Sequence, residues 1–242
     1  MRALPPVVRN RLILPVAAKL PEAEIPSEGR APPRQLVGLQ ENMPNPIEFF
    51  FDFSSPYGYF ASTRISALAS KHGRTVAWRP ILLGAVFKVT GGAPLPSLPL
   101  KGDYSVRDMT RSARYHDILY KMPSVFPVPT QAPARIVYWV EGTTPDKVEA
   151  VVLALYRAYF VEDQDISKPE TAADAVAKVG LDPGQALAAI NDPSIKERLK
   201  NETQAAIERG VFGSPYVTVD GEPFWGMDRF DQVERWLARG GF

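Results

Sequence analysis

Cysteine is absent from the 242 residues, which excludes disulfides, thiolate metal sites and cysteine nucleophiles in one step. Imidazole is nearly absent as well. His72 and His116 are the only histidines; each lies among polar neighbours, and neither stands at a metal-ligand spacing such as H-E-x-x-H, so no metal site is expected. An excess of charge of one sign is also missing, because 28 lysines and arginines face 27 acids. Without a basic block interleaved with aromatics, neither nucleic acid nor an anionic membrane is an expected partner. No apolar run reaches the roughly 20 residues needed to cross a bilayer. The prolines and charges of "MRALPPVVRNRLILPVAAKLPEAEIP" spoil both a secretion signal and a transit helix. A soluble, cytoplasmic protein is the expectation.

What is present is ordinary for one or two globular domains: 45% hydrophobic and 23% charged residues, enough to bury a core. Residues 1–45 carry many prolines and little periodicity, which predicts a poorly ordered extension that the fold does not need. From Pro46 the texture changes. Ile47 to Phe53 reads as a buried strand, Pro56 to His72 as a helix that stops at His72-Gly73, and Thr75 to Pro80 as a second strand. "GGAPLPSLPL" (Gly91 to Leu100) is too rich in proline and glycine to be anything but a loop.

A helical block follows, with "YSVRDMTRSARYHDILYKM" and "APARIVYWVEG" at helical spacing. Thr144-Pro145 is read as the N-cap and first residue of the next helix. "PETAADAVAKVG", "DPGQALAAIN" and "PSIKERLKNETQAAIERG" supply three more. Two short strands, Tyr216 to Val219 and Glu222 to Trp225, flank Asp220-Gly221, a type I′ hairpin signal, and Arg229 to Arg239 closes the chain as a helix. The order β-α-β, helices, β-β-α is that of an α/β thioredoxin-like fold. Residues 46–100 and 210–242 would form its sheet domain and residues 101–209 an inserted all-helical domain.

The informative corner is "IEFFFDFSSPYGYFAS", where an aromatic strand breaks at Ser54-Ser55-Pro56. Ser55 suits a helix N-cap and Pro56 the first helical position, where its missing N–H costs nothing. The same place suits an anion, since free N–H donors gather at a helix start. With no histidine near it to act as base, Ser55 is a poor nucleophile. A serine that donates a hydrogen bond to a ligand's thiolate fits better. In "GVFGSPYVTVDGEPFWGMDR", Ser214-Pro215 precedes a strand, where a cis bond would turn backbone groups toward a ligand and a trans bond would merely begin the strand. Asp228 reads either as a ligand contact or as the cap of the last helix.

Together, "DFSSPYGYFAS", "WRPILLGAVFKVTGG" and "ERGVFGSPYVTVDGEPFWGMDR" resemble the 2-hydroxychromene-2-carboxylate isomerase family, which lies close to the kappa-class glutathione transferases in the DsbA-like thioredoxin superfamily. The resemblance spans about Pro46 to Phe242. It implies glutathione as cofactor, a small-molecule aromatic substrate, and a thiolate that adds reversibly, permits bond rotation and is eliminated. It also implies Ser55 as the catalytic serine on the glutathione sulfur. Ser214 would give main-chain bonds before a cis Pro215, and Trp225, Gly226, Met227 and Asp228 would hold the γ-glutamyl end. Lys88 would reach the ligand from a strand-to-loop segment.

Redox relatives carry C-x-x-C where Ser55 to Gly58 stands here, so disulfide exchange is excluded chemically. Relatives often have asparagine where this chain has Gly92, and an asparagine-containing segment at Val128-Pro129-Thr130; both departures fall on the substrate side. A kappa-like transferase and a non-catalytic peptide-binding module are the alternatives. The sequence does not fix an oligomeric state, and a homodimer stays open.

Overall fold

The computed structural model describes residues 44–242, so the expected N-terminal extension lies outside the described residues except for its last two positions. Strand β1 (Ile47–Phe51) pairs in parallel with β2 (Val76–Pro80) and antiparallel with β3 (Tyr216–Val219), which pairs antiparallel with β4 (Glu222–Trp225). The sheet order is β2-β1-β3-β4. β1 lies inside the sheet, and its aromatic run serves both faces. Ile47, Phe49 and Phe51 belong to the main core, while Phe50 joins Ile81, Val86, Ala206, Val211 and Tyr216 on the other side. That split follows from the period of two along a strand. At the hairpin, Asp220 and Gly221 take φ of 50° and 93°, as a type I′ turn requires.

The corner after β1 opens α1 (Pro56–Ser62), and α2 (Ile65–Lys71) follows it. The single helix expected from Pro56 to His72 is therefore two. The Ser62 hydroxyl donates to the Tyr59 carbonyl at 2.7 Å and the Thr63 hydroxyl to that of Phe60 at 2.8 Å. Such back-bonding bends helices, and Arg64 at φ −126° breaks this one.

A helix also stands where none was expected, α3 (Leu83–Thr90). β-branched Val86, Val89 and Thr90 and an internal Gly84 make it a weak helix by propensity. Its start is supported from elsewhere in the chain: the Leu83 N–H donates to the carboxylate of Asp52 at 2.7 Å.

The remaining helices are α4 (Lys101–Tyr115), α5 (Gln131–Thr143), α6 (Val148–Phe160), α7 (Pro169–Ala177), α8 (Pro183–Asn191), α9 (Pro193–Glu208) and α10 (Phe230–Arg239). α4 ends earlier than its pattern predicts, because Asp117 turns into the left-handed region at φ 55°, which aspartate tolerates. Thr144 is not a side-chain cap: it precedes a 3-10 turn, Pro145–Lys147, and its buried hydroxyl finds no partner. Asp182 and Asp192 do cap α8 and α9, accepting from the Gln185 and Ser194 N–H groups at 2.7 Å each.

The helical block shares its core with the sheet. Phe51, Phe53, Tyr59, Tyr156 and Phe160 form one contiguous aromatic group, with neighbouring ring centroids 4.8 to 6.1 Å apart. The α1 corner is thus clamped between β1 and α6. Among the described residues no helix is long and apolar enough to cross a membrane.

Candidate active site

Ser55 is 7% exposed, and its backbone (φ −92°, ψ 112°) is extended, as an N-cap requires. Its hydroxyl accepts the Gly58 N–H at 3.0 Å and donates to the Ser214 carbonyl at 2.9 Å. The single hydroxyl proton is therefore committed to Ser214. The Ser214–Pro215 bond is cis, as is Phe126–Pro127, which the sequence did not signal. The Ser214 hydroxyl accepts the Asp52 N–H at 3.0 Å, and the Pro215 carbonyl accepts the Gly226 N–H at 3.0 Å. Two segments some 160 positions apart are stitched into one floor.

Gly58 stands where that floor is tightest. A Cβ there would lie 2.7 Å from the Ser214 hydroxyl oxygen and 2.8 Å from the Tyr156 hydroxyl oxygen. Gly58→Ala is expected to cost about 1–3 kcal/mol through overpacking, read as a lower urea midpoint at unchanged slope. A midpoint equal to wild type would show that Ser214 and Tyr156 shift freely.

Asp52, which sequence reasoning passed over, is the buried hub beneath this corner. It is 2% exposed. One carboxylate oxygen accepts the Ser54 N–H and hydroxyl, each at 2.7 Å; the other accepts the Leu83 N–H at 2.7 Å and the Thr130 hydroxyl at 3.1 Å. Its backbone carbonyl accepts the Ser55 N–H at 2.9 Å and the Tyr156 hydroxyl at 3.0 Å. Burial pushes its pKa above the usual carboxylate range, against the opposing pull of these donors. The available signal was an acid inside an otherwise aromatic strand run.

Two cavities meet at the corner. An apolar one of about 160 Å³ is lined by Ser54, Ser55, Phe87, Met109, Phe126 and Phe212, among others. A larger one of about 540 Å³ has charged residues among its walls, including Asp108, Asp228 and Arg229, beside Leu95, Pro215 and Trp225. Tyr57, Leu95, Ser214 and Trp225 border both. The Tyr57 hydroxyl donates to Asp108 at 2.6 Å. Its burial first, and that carboxylate second, raise its pKa above the ordinary value. Trp225 is 56% exposed and stacks edge-on against Phe212, with centroids 5.0 Å apart.

Gly226, at φ 99° and ψ 148°, occupies backbone space essentially reserved for glycine, and a Cβ there would meet the Asp228 carboxylate at 2.4 Å. Met227 is buried in the core, which leaves its backbone as the part available to a ligand. Asp228 caps neither the 3-10 turn Met227–Arg229 nor α10. Its side chain is 73% exposed and pairs with Arg229 at 2.7 Å.

Lys88 stands apart. It is an exposed residue of the last turn of α3, not of a strand-to-loop segment, and it lines a third cavity of about 500 Å³ with Asp52, Thr130 and Gln131. His116, set aside from the sequence as a residue among polar neighbours without a metal-ligand spacing, is half-buried and lines the larger cavity. Arg64 lies 3.0 Å from its Nδ1; burial first, then the Arg64 charge, lower its pKa. No group of three or more potential metal ligands occurs among the described residues.

The comparisons agree with this architecture. The DsbA-like thioredoxin domain matches residues 46–238. The 2-hydroxychromene-2-carboxylate isomerase of Pseudomonas putida is 31% identical over 196 residues, covering 80% of this chain and 94% of the relative. Human glutathione S-transferase kappa 1 is 27% identical over 217 residues, covering 81% and 94%. A solved structure of a selenomethionine-labelled 2-hydroxychromene-2-carboxylate isomerase superimposes with a TM-score of 0.72 at 29% identity, over 80% of this chain and 94% of that one. The chain belongs to the DsbA-like thioredoxin family, in the group that holds the 2-hydroxychromene-2-carboxylate isomerases and the kappa-class glutathione transferases.

Proposed function

We propose that the chain is a glutathione-dependent isomerase of 2-hydroxychromene-2-carboxylate or a related aromatic catabolite. The observation that carries this reading is the placement of the Ser55 corner where a larger cavity with charged walls meets a smaller one without charge. A polar tripeptide fits the first and a hydrophobic acceptor the second. Bound glutathione supplies a thiolate whose reversible addition, with bond rotation and elimination, changes the geometry of a conjugated double bond.

The chain's own residues position and stabilise. Asp228 takes the γ-glutamyl ammonium, with Trp225, Gly226 and the Met227 backbone beside it. Ser214 and the cis Pro215 offer main-chain groups to the cysteinyl part. Ser55 turns its O–H away from the Ser214 carbonyl and donates a hydrogen bond to the sulfur anion, the proton staying on the serine oxygen. Since α1 has only seven residues, its dipole is small, and the hydroxyl bears most of this stabilisation. Similarity to the human kappa-class protein favours a second reading, a transferase that keeps the adduct; product analysis separates the two.

The reading is tested by following 2-hydroxychromene-2-carboxylate by ultraviolet absorbance with and without glutathione. Turnover that needs the thiol supports it, and thiol-independent turnover or none at all rejects it. Asp228→Ala is expected to weaken glutathione binding about tenfold, the lower end for a charge-assisted hydrogen bond, because the carboxylate is well exposed. The melting temperature should hold, because Asp228 caps nothing. Calorimetry showing unchanged affinity would remove Asp228 from the site.

A further inference from the structure

The apolar cavity beside Ser55 has a composition that restricts its occupant. Among the described residues, none that is charged at neutral pH lines it. Three of its hydroxyl protons are already engaged, that of Ser54 on Asp52, that of Ser55 on the Ser214 carbonyl and that of Tyr57 on Asp108, which leaves only neutral donors, the Ser214 O–H and the Trp225 indole N–H, on its walls. The remaining walls are chiefly Phe87, Met109, Phe126, Phe212, Pro94 and Pro127. An ionised group pushed into such a cavity would lose its water and find no opposite charge to pair with.

Phe87 also lines the neighbouring cavity that holds Lys88, so it borders both spaces. It depends on Gly92, where a Cβ would approach the Phe87 ring to 2.7 Å. A side chain at that position must push the ring aside.

We propose, resting on the glutathione reading, that the acceptor enters this cavity as an uncharged aromatic body. Any carboxylate it bears is left outside, on the Lys88 side, and Phe87, given room by Gly92, sets this orientation. Phe87 and Gly92 are then specificity residues, and acceptors charged at the far end of the ring are rejected.

The test is calorimetric binding of three probes, glutathione, S-benzylglutathione and S-(para-carboxybenzyl)glutathione, to the wild type, Gly92→Ala and Phe87→Leu. The benzyl conjugate should bind about tenfold tighter than glutathione, in line with discrimination by an apolar pocket, and the para-carboxylate should abolish that gain. Gly92→Ala should reduce the benzyl advantage several-fold with glutathione affinity kept. Phe87→Leu, which keeps an apolar side chain while removing the ring, guards against a folding defect and should give a smaller loss of the same sign.

Equal affinity for the two conjugates, with glutathione bound, overturns this inference and leaves the glutathione reading standing. Selectivity unchanged in both variants overturns the role of the Phe87–Gly92 pair. Failure of all three probes to bind the wild type overturns the glutathione reading and the inference with it.

Discussion

Ser55→Ala is expected to lower turnover by about two orders of magnitude, the scale of losing one preorganised donor to a developing or resting anion. The sulfur would lose the hydroxyl that favours its charged form, so the thiol pKa in the complex should rise. Affinity for glutathione should fall far less, because the contact proposed for Asp228 does not involve the hydroxyl. Stability should also drop, by about 1–2 kcal/mol, since the variant loses the cap on the Gly58 N–H and strands the Ser214 carbonyl. Turnover and melting temperature must therefore be measured on the same preparation. Ser55→Cys is the useful control, offering a weaker S–H donor and a chance of mixed disulfide with the ligand. A fully active alanine variant with only a lower melting temperature would reduce Ser55 to a helix cap.

Asp52→Ala should have the largest effect on stability. It would leave the Leu83 and Ser54 N–H groups and the Thr130 hydroxyl without their acceptor, at about 1–3 kcal/mol for each buried group left unmade. Partial relaxation makes a total of about 3–5 kcal/mol the expected loss in urea unfolding. Activity should fall with it, because β1, α3 and the start of α5 are held together through this carboxylate.

Asp52→Asn tests the charge separately. Burial raises the folded-state pKa of Asp52, so the native state holds this proton more tightly than the unfolded chain does. The corresponding stability is present in full below the unfolded value, near 3.8, and is lost as pH rises through the raised folded value. The asparagine variant should lack that decline. A wild type and variant with the same pH slope across this window would show that Asp52 titrates normally.

Local signals carried the strands and the hairpin. Alternation and aromatic content mark β1, and Asp220-Gly221 alone specifies the turn that joins β3 to β4. Helical spacing marked α8 and α9, whose capping aspartates the structure adds. What was not legible depends on contacts distant in sequence: α3 begins on a carboxylate 31 positions away, and the break between α1 and α2 follows from hydroxyl back-bonding that periodicity does not register. The candidate site divides likewise. Ser55, Ser214 and the segment from Trp225 to Asp228 converge on the cavities, and family likeness was the guide to them. Lys88 falls in a neighbouring cavity because α3 carries it there. Asp52 looked like a strand end and His116 like a surface residue, and only tertiary packing buries the first and brings the second to a cavity wall.

On the proposed reading, the Ser55 corner holds glutathione as a thiolate. The most direct measurement of this is a pH titration of the thiolate ultraviolet absorbance of glutathione bound to the wild-type protein, against free glutathione and the Ser55→Ala complex. A bound thiol that ionises at clearly lower pH than free glutathione, with most of that shift lost in the alanine variant, is the predicted result. A bound thiol that titrates like the free one, or a shift that survives the alanine substitution intact, would contradict it.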